Sequence, residues 1–168
     1  MYKDYTIKAK VSSGHIMEKQ LASLHARFIG IDFQTDTYFK IEKGKLKLRQ
    51  GTIENLITHY ERTHEGDAEK TNVYRYDVNP AIEEIEKLRD SHQQIGIVQK
   101  ERKIYYVGIV KIHLDRLQNG EEFIELEAID RLNQFSNEEL KRKCLEVKEK
   151  LGIRESDLVQ TGYLKHSP

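Results

Sequence analysis

Between Val98 and Ile129, in VQKERKIYYVGIVKIHLDRLQNGEEFIELEAI, charged and apolar residues alternate through three successive stretches. Side chains on a strand point to opposite faces in turn, so Lys100, Arg102 and Ile104 share one face of the first stretch. In the second, Lys111, His113 and Asp115 lie opposite Val110, Ile112 and Leu114. In the third, Glu125 and Glu127 lie opposite Ile124, Leu126 and Ala128. Three such strands make a sheet with one apolar face and one face of ordered charge of both signs.

An antiparallel sheet often leaves its polar face to water. Against that plain reading, the alternation recurs at the amino terminus, where Asp4, Thr6, Lys8 and Lys10 oppose Tyr5, Ile7, Ala9 and Val11, and again at Lys45, Lys47 and Arg49 against Leu46 and Leu48. A sheet of this many strands curls. If helices cover its apolar outside, the charges line its inside. The expected fold is therefore α+β: a closed antiparallel β-barrel or tunnel of about eight strands, with a charged lumen and flanking helices.

The remaining segments supply the covering. Met17, Leu21, Leu24 and Phe28 recur at helical spacing and predict a helix over residues 14–29, ended by Gly30. Ile31 to Ile41 reads as a strand, Lys43-Gly44 as the turn into a strand from Lys45 to Gln50, and Leu56–Arg62 with Val73–Val78 as a hairpin around the polar, mobile loop HEGDAEKTN. Asn79-Pro80 opens a second helix over 80–93 that packs through Ile82, Ile85 and Leu88. The capping box Ser136-Asn137-Glu138-Glu139 opens a third, carrying Leu140, Cys144, Val147 and Leu151 on one face, with Gly152 closing it.

Composition agrees with a polar interior. Only 38% of residues are hydrophobic while 33% are charged, with no Trp and a mean hydropathy of -0.71, too little for a conventional core under every strand. The 168 residues fit one domain, 1–168. Lys and Arg total 28, as do Asp and Glu, so no global field favours a nucleic-acid polymer or an acidic membrane, and any anion site must be local. No stretch approaches the roughly 18 apolar residues of a membrane span, MYKDYTIKAK lacks an apolar signal region, and a cytoplasmic location is expected. Cys144 has no second cysteine to pair with and is expected simply to pack.

Five motifs in order, TIKAKV, LKLR, KERKIYYV, KIHLD and FIELE, resemble the CYTH superfamily of triphosphate tunnel proteins, most closely its class IV adenylyl cyclase-like branch. The resemblance covers nearly the whole chain. It implies an eight-stranded antiparallel tunnel whose lumen binds ATP or another triphosphate with Mg²⁺ or Mn²⁺. Matched residue by residue, it implies phosphate contacts from Lys8, Arg49, Lys100 and Arg102, with Lys47, Arg62 and Arg75 as further candidates. It implies a metal held by Asp4, Asp115, Glu125 and Glu127, residue types that suit hard cations. A homodimer is left open.

One departure stands out. The superfamily's Glu-x-Glu-x-Lys signature becomes Asp4-Tyr5-Thr6-Ile7-Lys8, so Thr6 stands where a metal-binding carboxylate is expected. Three functions remain open on the sequence: an adenylyl cyclase converting ATP to cyclic AMP and pyrophosphate, a metal-dependent triphosphatase, and a non-catalytic nucleotide or polyphosphate binder. The first two need the same cations, and no residue is assigned a catalytic role. Gln34 to Phe39, QTDTYF, offers amide and aromatic groups to read a base, and His113 shares the lumen face. There is no Gly-rich phosphate loop, nucleophilic triad or histidine metal spacing.

Overall fold

The computed structural model describes residues 2–65 and 68–159. In chain order the elements are β1 (Tyr2–Val11), α1 (Gly14–Ser23), β2 (Arg27–Phe39), β3 (Lys45–Gln50), β4 (Asn55–Glu65), β5 (Ala68–Val78), α2 (Ile82–Ser91), β6 (Gln94–Val107), β7 (Val110–Leu117), β8 (Glu122–Asp130), α3 (Asn137–Lys150) and the short β9 (Leu158–Val159). Eight antiparallel strands run β5-β4-β3-β2-β6-β7-β8-β1, and β1 pairs back onto β5, so the sheet closes into a ring around a tunnel. Beyond β5 the same edge of β1 takes β9, with Lys8 opposite Val159. No described helix is long and apolar enough to cross a membrane.

The alternation decides which side each residue takes. Tyr5, Ile7, Ala9, Val110, Ile112, Leu114, Ile124, Leu126 and Ala128 face outward and are buried with Leu21 of α1 and with Leu140, Cys144 and Val147 of α3. A second outer core joins Phe39, Leu46, Leu48 and Ile57 to Leu88 of α2. A third cluster, Tyr38, Val98, Leu117 and Phe123, lies on the lumen side and forms an apolar floor at one end of the tunnel. The charged residues of the inward faces fill the space above it.

Several element boundaries differ from those expected. The first helix ends at Ser23, because His25 takes a left-handed conformation (φ 56°) and RFIGIDF then pairs with β6. Phe28 is thus a strand residue, about half exposed and 5.1 Å from the Tyr105 ring. Gly30, expected to end the helix, instead sits at a register shift in β2. The nine-residue loop is largely strand: β4 continues to Glu65 and β5 begins at Ala68, their backbone groups satisfied by pairing down to Glu65 opposite Ala68, while Gly66 and Asp67 lie outside the described residues. Asn79 turns the chain with φ 51°, so α2 starts only at Ile82 with Ala81 as an N-cap that makes no side-chain bond. Ile82 is exposed, which leaves Ile85 and Leu88 to pack. The Ser136–Glu139 capping box forms as read, and Gly152 follows α3 with φ 69°.

Candidate functional site

The lumen charges sort into levels along the tunnel. Just above the floor, Asp36 of β2 accepts two hydrogen bonds from Arg49 of β3 (2.8 and 2.9 Å) and one from Lys100 of β6 (2.6 Å). The ammonium of Lys8 lies 4.8 Å from the Phe123 ring. At mid-height Arg102 of β6 donates to both oxygens of Asp115 on β7, at 2.7 Å each, while its Nη2 is 3.9 Å from Glu125 of β8. His113 Nδ1 is 3.0 Å from Glu125 Oε1. Toward the open end Lys111 pairs with Glu54, and Arg131 stacks on and hydrogen-bonds to Tyr76.

Burial sets the proton affinities. It pushes Lys8 down to about 7 and Lys100 to about 8, although Glu125 and Asp36 respectively pull them back up. Lys47 is also driven well down, by burial and then by the Arg49 charge beside it. Burial raises the carboxyl of Asp36, but Arg49 and Lys100 reverse this and hold it well below the usual range. Glu54 is lowered in the same way by Lys111 and Arg49. His113 is depressed by burial and by Arg102.

Asp4 and Glu127 behave as a pair. Burial, then the Glu127 charge, raises Asp4 well above the ordinary carboxylate value. Glu127 goes the other way, since the hydrogen bond from Asp4 and the charges of His113 and Lys111 outweigh its own burial. Of the two carboxyls, Asp4 is therefore the one that holds a proton more readily. Asp4 Oδ1 and Thr6 Oγ1 are buried and have no hydrogen-bond partner among the described residues.

Of the residues read from sequence, Asp4, Lys47, Arg49, Arg62, Arg102, Glu125 and Glu127 line one cavity in the lumen. Lys8 and Lys100 sit in the buried network beneath it. Arg62 donates to Thr71 at 3.2 Å and lies over Tyr60. Arg75 does not join them: after the register shift between His59 and Tyr60 it pairs with Asp77 and with Glu84 of α2, outside the ring. Asp115 faces the lumen, but Arg102 takes both of its oxygens. The base-reading stretch is similarly occupied, Asp36 by its cations and Gln34 by Asp32 and Glu54. Glu54 and Asp32 escaped the sequence reading. Glu54 lies in a loop, where no alternation marks a face; Asp32 continues the inward series Asp32, Gln34, Asp36, Tyr38 and was legible in principle.

A metal fits this lumen only in part. Among the described residues no three His, Cys, Asp or Glu side chains are arranged to hold one. Mg²⁺ commonly takes one or two carboxylates and completes its shell with phosphate oxygens and water. The Asp4–Glu127 pair, with the buried Asp4 Oδ1 unpartnered, suits an ion that arrives with phosphates.

The CYTH domain model matches residues 3–163 of the chain. Among solved structures, a Pyrococcus horikoshii OT3 protein superposes with a TM-score of 0.75 at 26% identity, covering 96% of this chain and 98% of that one. A candidate adenylate cyclase from Vibrio parahaemolyticus gives 0.69 at 15% identity over 96% and 95% of the two chains. A Hippeastrum protein, described as an adenylyl cyclase candidate with a dominant triphosphatase activity, gives 0.60 at 12% identity over 89% and 88%. The last two share the fold. No curated protein gives a significant match.

Proposed function

The chain belongs to the CYTH domain family, and we propose that it binds ATP or another triphosphate with Mg²⁺ or Mn²⁺ in its tunnel and acts on it as a class IV adenylyl cyclase, giving cyclic AMP and pyrophosphate. The observation that carries this reading is the convergence of Arg49, Arg62 and Arg102 on one cavity that also holds the Asp4–Glu127 pair. Guanidinium groups in fixed positions suit phosphate oxygens. Asp36 and Asp115 hold Arg49 and Arg102 in place before any ligand arrives, so little ordering remains to be done on binding. Lys8 and Lys100, whose proton affinities burial lowers to about 7 and about 8, would hold their protons more firmly as phosphate charge enters. Asp4 and Glu127 would hold the divalent ion, whose charge stabilises the departing pyrophosphate.

A second reading, a binder without turnover, is favoured by Thr6, whose hydroxyl is buried beside Glu127 in the register where a carboxylate would complete a metal site. Isothermal calorimetry with ATP, inorganic triphosphate and thiamine triphosphate, with and without Mg²⁺ or Mn²⁺, tests binding. Product analysis then separates the chemistry. Cyclic AMP with pyrophosphate supports the cyclase, release of inorganic phosphate indicates a triphosphatase, and tight binding without product indicates the binder.

A further inference from the structure

The connection between β3 and β4 carries a carboxylate into the tunnel. Glu54 Oε2 pairs with Lys111, while its Oε1 lies 3.5 Å from Arg49 Nη1 and 3.3 Å from Gln34 Nε2. The backbone beneath it is built independently of these contacts. Asp32, fully buried on β2, accepts from Ile53 N (2.8 Å), Glu54 N (3.0 Å), Thr52 Oγ1 (3.0 Å) and Gln34 Nε2 (2.7 Å). Gly51 N donates to Asn55 Oδ1 at 3.2 Å and Asn55 Nδ2 returns a bond to Gly51 O at 3.1 Å, closing the base of the loop. Glu54 is thus delivered to the lumen by its loop rather than merely drawn there by the cations.

An anion approaching Arg49 and Lys111 meets a carboxylate already between them. Two anions at contact distance repel, and a divalent cation between a carboxylate and a phosphate converts that repulsion into shared coordination. The same lumen region holds Glu127, so the carboxylates there are not confined to Glu54. We propose that Glu54, positioned by Asp32, sets the tunnel's ligand preference: phosphate ligands that bring a divalent cation are admitted, and the same ligands without one are held off. The proposal rests on the reading of the lumen as a triphosphate site. It makes Glu54 a specificity-determining residue and Asp32 the positioning residue behind it.

Calorimetry of inorganic triphosphate, once in a chelator and once with saturating Mg²⁺, tests this on native protein and on two variants. Glu54→Gln keeps the shape and removes the charge. It should bind metal-free triphosphate about tenfold or more tightly than native protein, and the advantage conferred by Mg²⁺ should shrink by a similar factor. Asp32→Asn keeps the Glu54 charge but weakens the bonds that aim it, and should shrink the Mg²⁺ advantage in part. Because the readout is a ratio within each folded protein, confirmed by circular dichroism, a general loss of stability does not imitate it, and Asp32→Asn serves if Glu54→Gln does not fold. An unchanged ratio overturns the proposal while leaving the triphosphate reading in place. Equal tightening with and without Mg²⁺ also overturns it, since that is the behaviour of a competitor that simply swings aside. Native protein and variants that bind triphosphate in neither condition overturn both.

Discussion

Arg102 and Asp115, both almost fully buried, face each other across the β6–β7 pair, and Arg102 donates two hydrogen bonds of 2.7 Å to the two carboxylate oxygens. Read separately along the chain, one is a phosphate ligand and the other a metal ligand. In the folded protein each is first the other's counter-ion, and the same holds for Arg49 and Lys100 with Asp36.

This arrangement separates binding from folding in mutants. Lys100→Ala leaves Asp36 still paired with Arg49, so its main effect should be on triphosphate affinity, a loss of about 1.5–3 kcal/mol, or roughly tenfold or more. Arg102→Ala strands a buried carboxylate and should also cost about 3–5 kcal/mol of stability. Calorimetry and urea unfolding of the two variants, side by side, check both statements. Unchanged affinity in both would remove these residues from the site.

Binding should depend on pH through the two depressed lysines. With pKa values near 7 and 8 in the empty protein, Lys8 and Lys100 are largely neutral above those values and must gain protons to meet a polyanion. Affinity for triphosphate should fall as pH rises from about 7 to 9, and binding at about pH 8 should take up protons. Calorimetry in buffers of different ionisation enthalpy measures that uptake directly. Stability of the empty protein moves the other way. Both folded-state values lie below the ordinary 10.5, so the unfolded chain binds more protons between about 7 and 10.5, and these two groups make stability rise with pH across that window.

Thr6→Glu places a third carboxylate beside Asp4 and opposite Glu127. Without metal the variant should melt lower than native protein, because the added charge is buried next to Asp4, whose proton affinity burial and the Glu127 charge already raise. Mg²⁺ or Mn²⁺ should raise its melting temperature more than that of native protein, and metal-dependent turnover of ATP or triphosphate should increase. Brisk turnover by native protein, abolished in Thr6→Glu, would show instead that Thr6 belongs to a differently arranged site.

Gly51→Ala should disturb the tunnel from a distance. A Cβ there would stand 2.6 Å from Asp32 Oδ1 and 2.7 Å from the carbonyl oxygen of Glu54, closer than real contacts allow. Relief requires moving the clasp that aims Glu54, at a cost of about 1–3 kcal/mol. Thermal unfolding should show the loss. The ratio of triphosphate affinities with and without Mg²⁺ should drift in the same direction as in Asp32→Asn.

The sequence by itself determined the ring and its two faces. Strand geometry alternates side chains with a period of two, so the inward placement of Lys8, Arg49, Lys100, Arg102, Asp115, Glu125 and Glu127 was legible before any coordinates, as were the outward apolar face and the capping box of α3. Its helix and strand edges were less legible where periodicities overlap: Phe28 completes a helical stripe on paper, yet the chain turns at His25 and the residue joins β2. Only the tertiary structure decided who partners whom. A period states a face, not a neighbour, so it could not show that Asp115 is spent on Arg102, that a register shift sends Arg75 toward α2, or that burial and the Glu127 charge raise the proton affinity of Asp4. It was silent on Glu54 for a plainer reason. A loop has no period, and the bonds that carry this carboxylate into the lumen come from Asp32 on β2, a contact that alternation along the chain does not reveal.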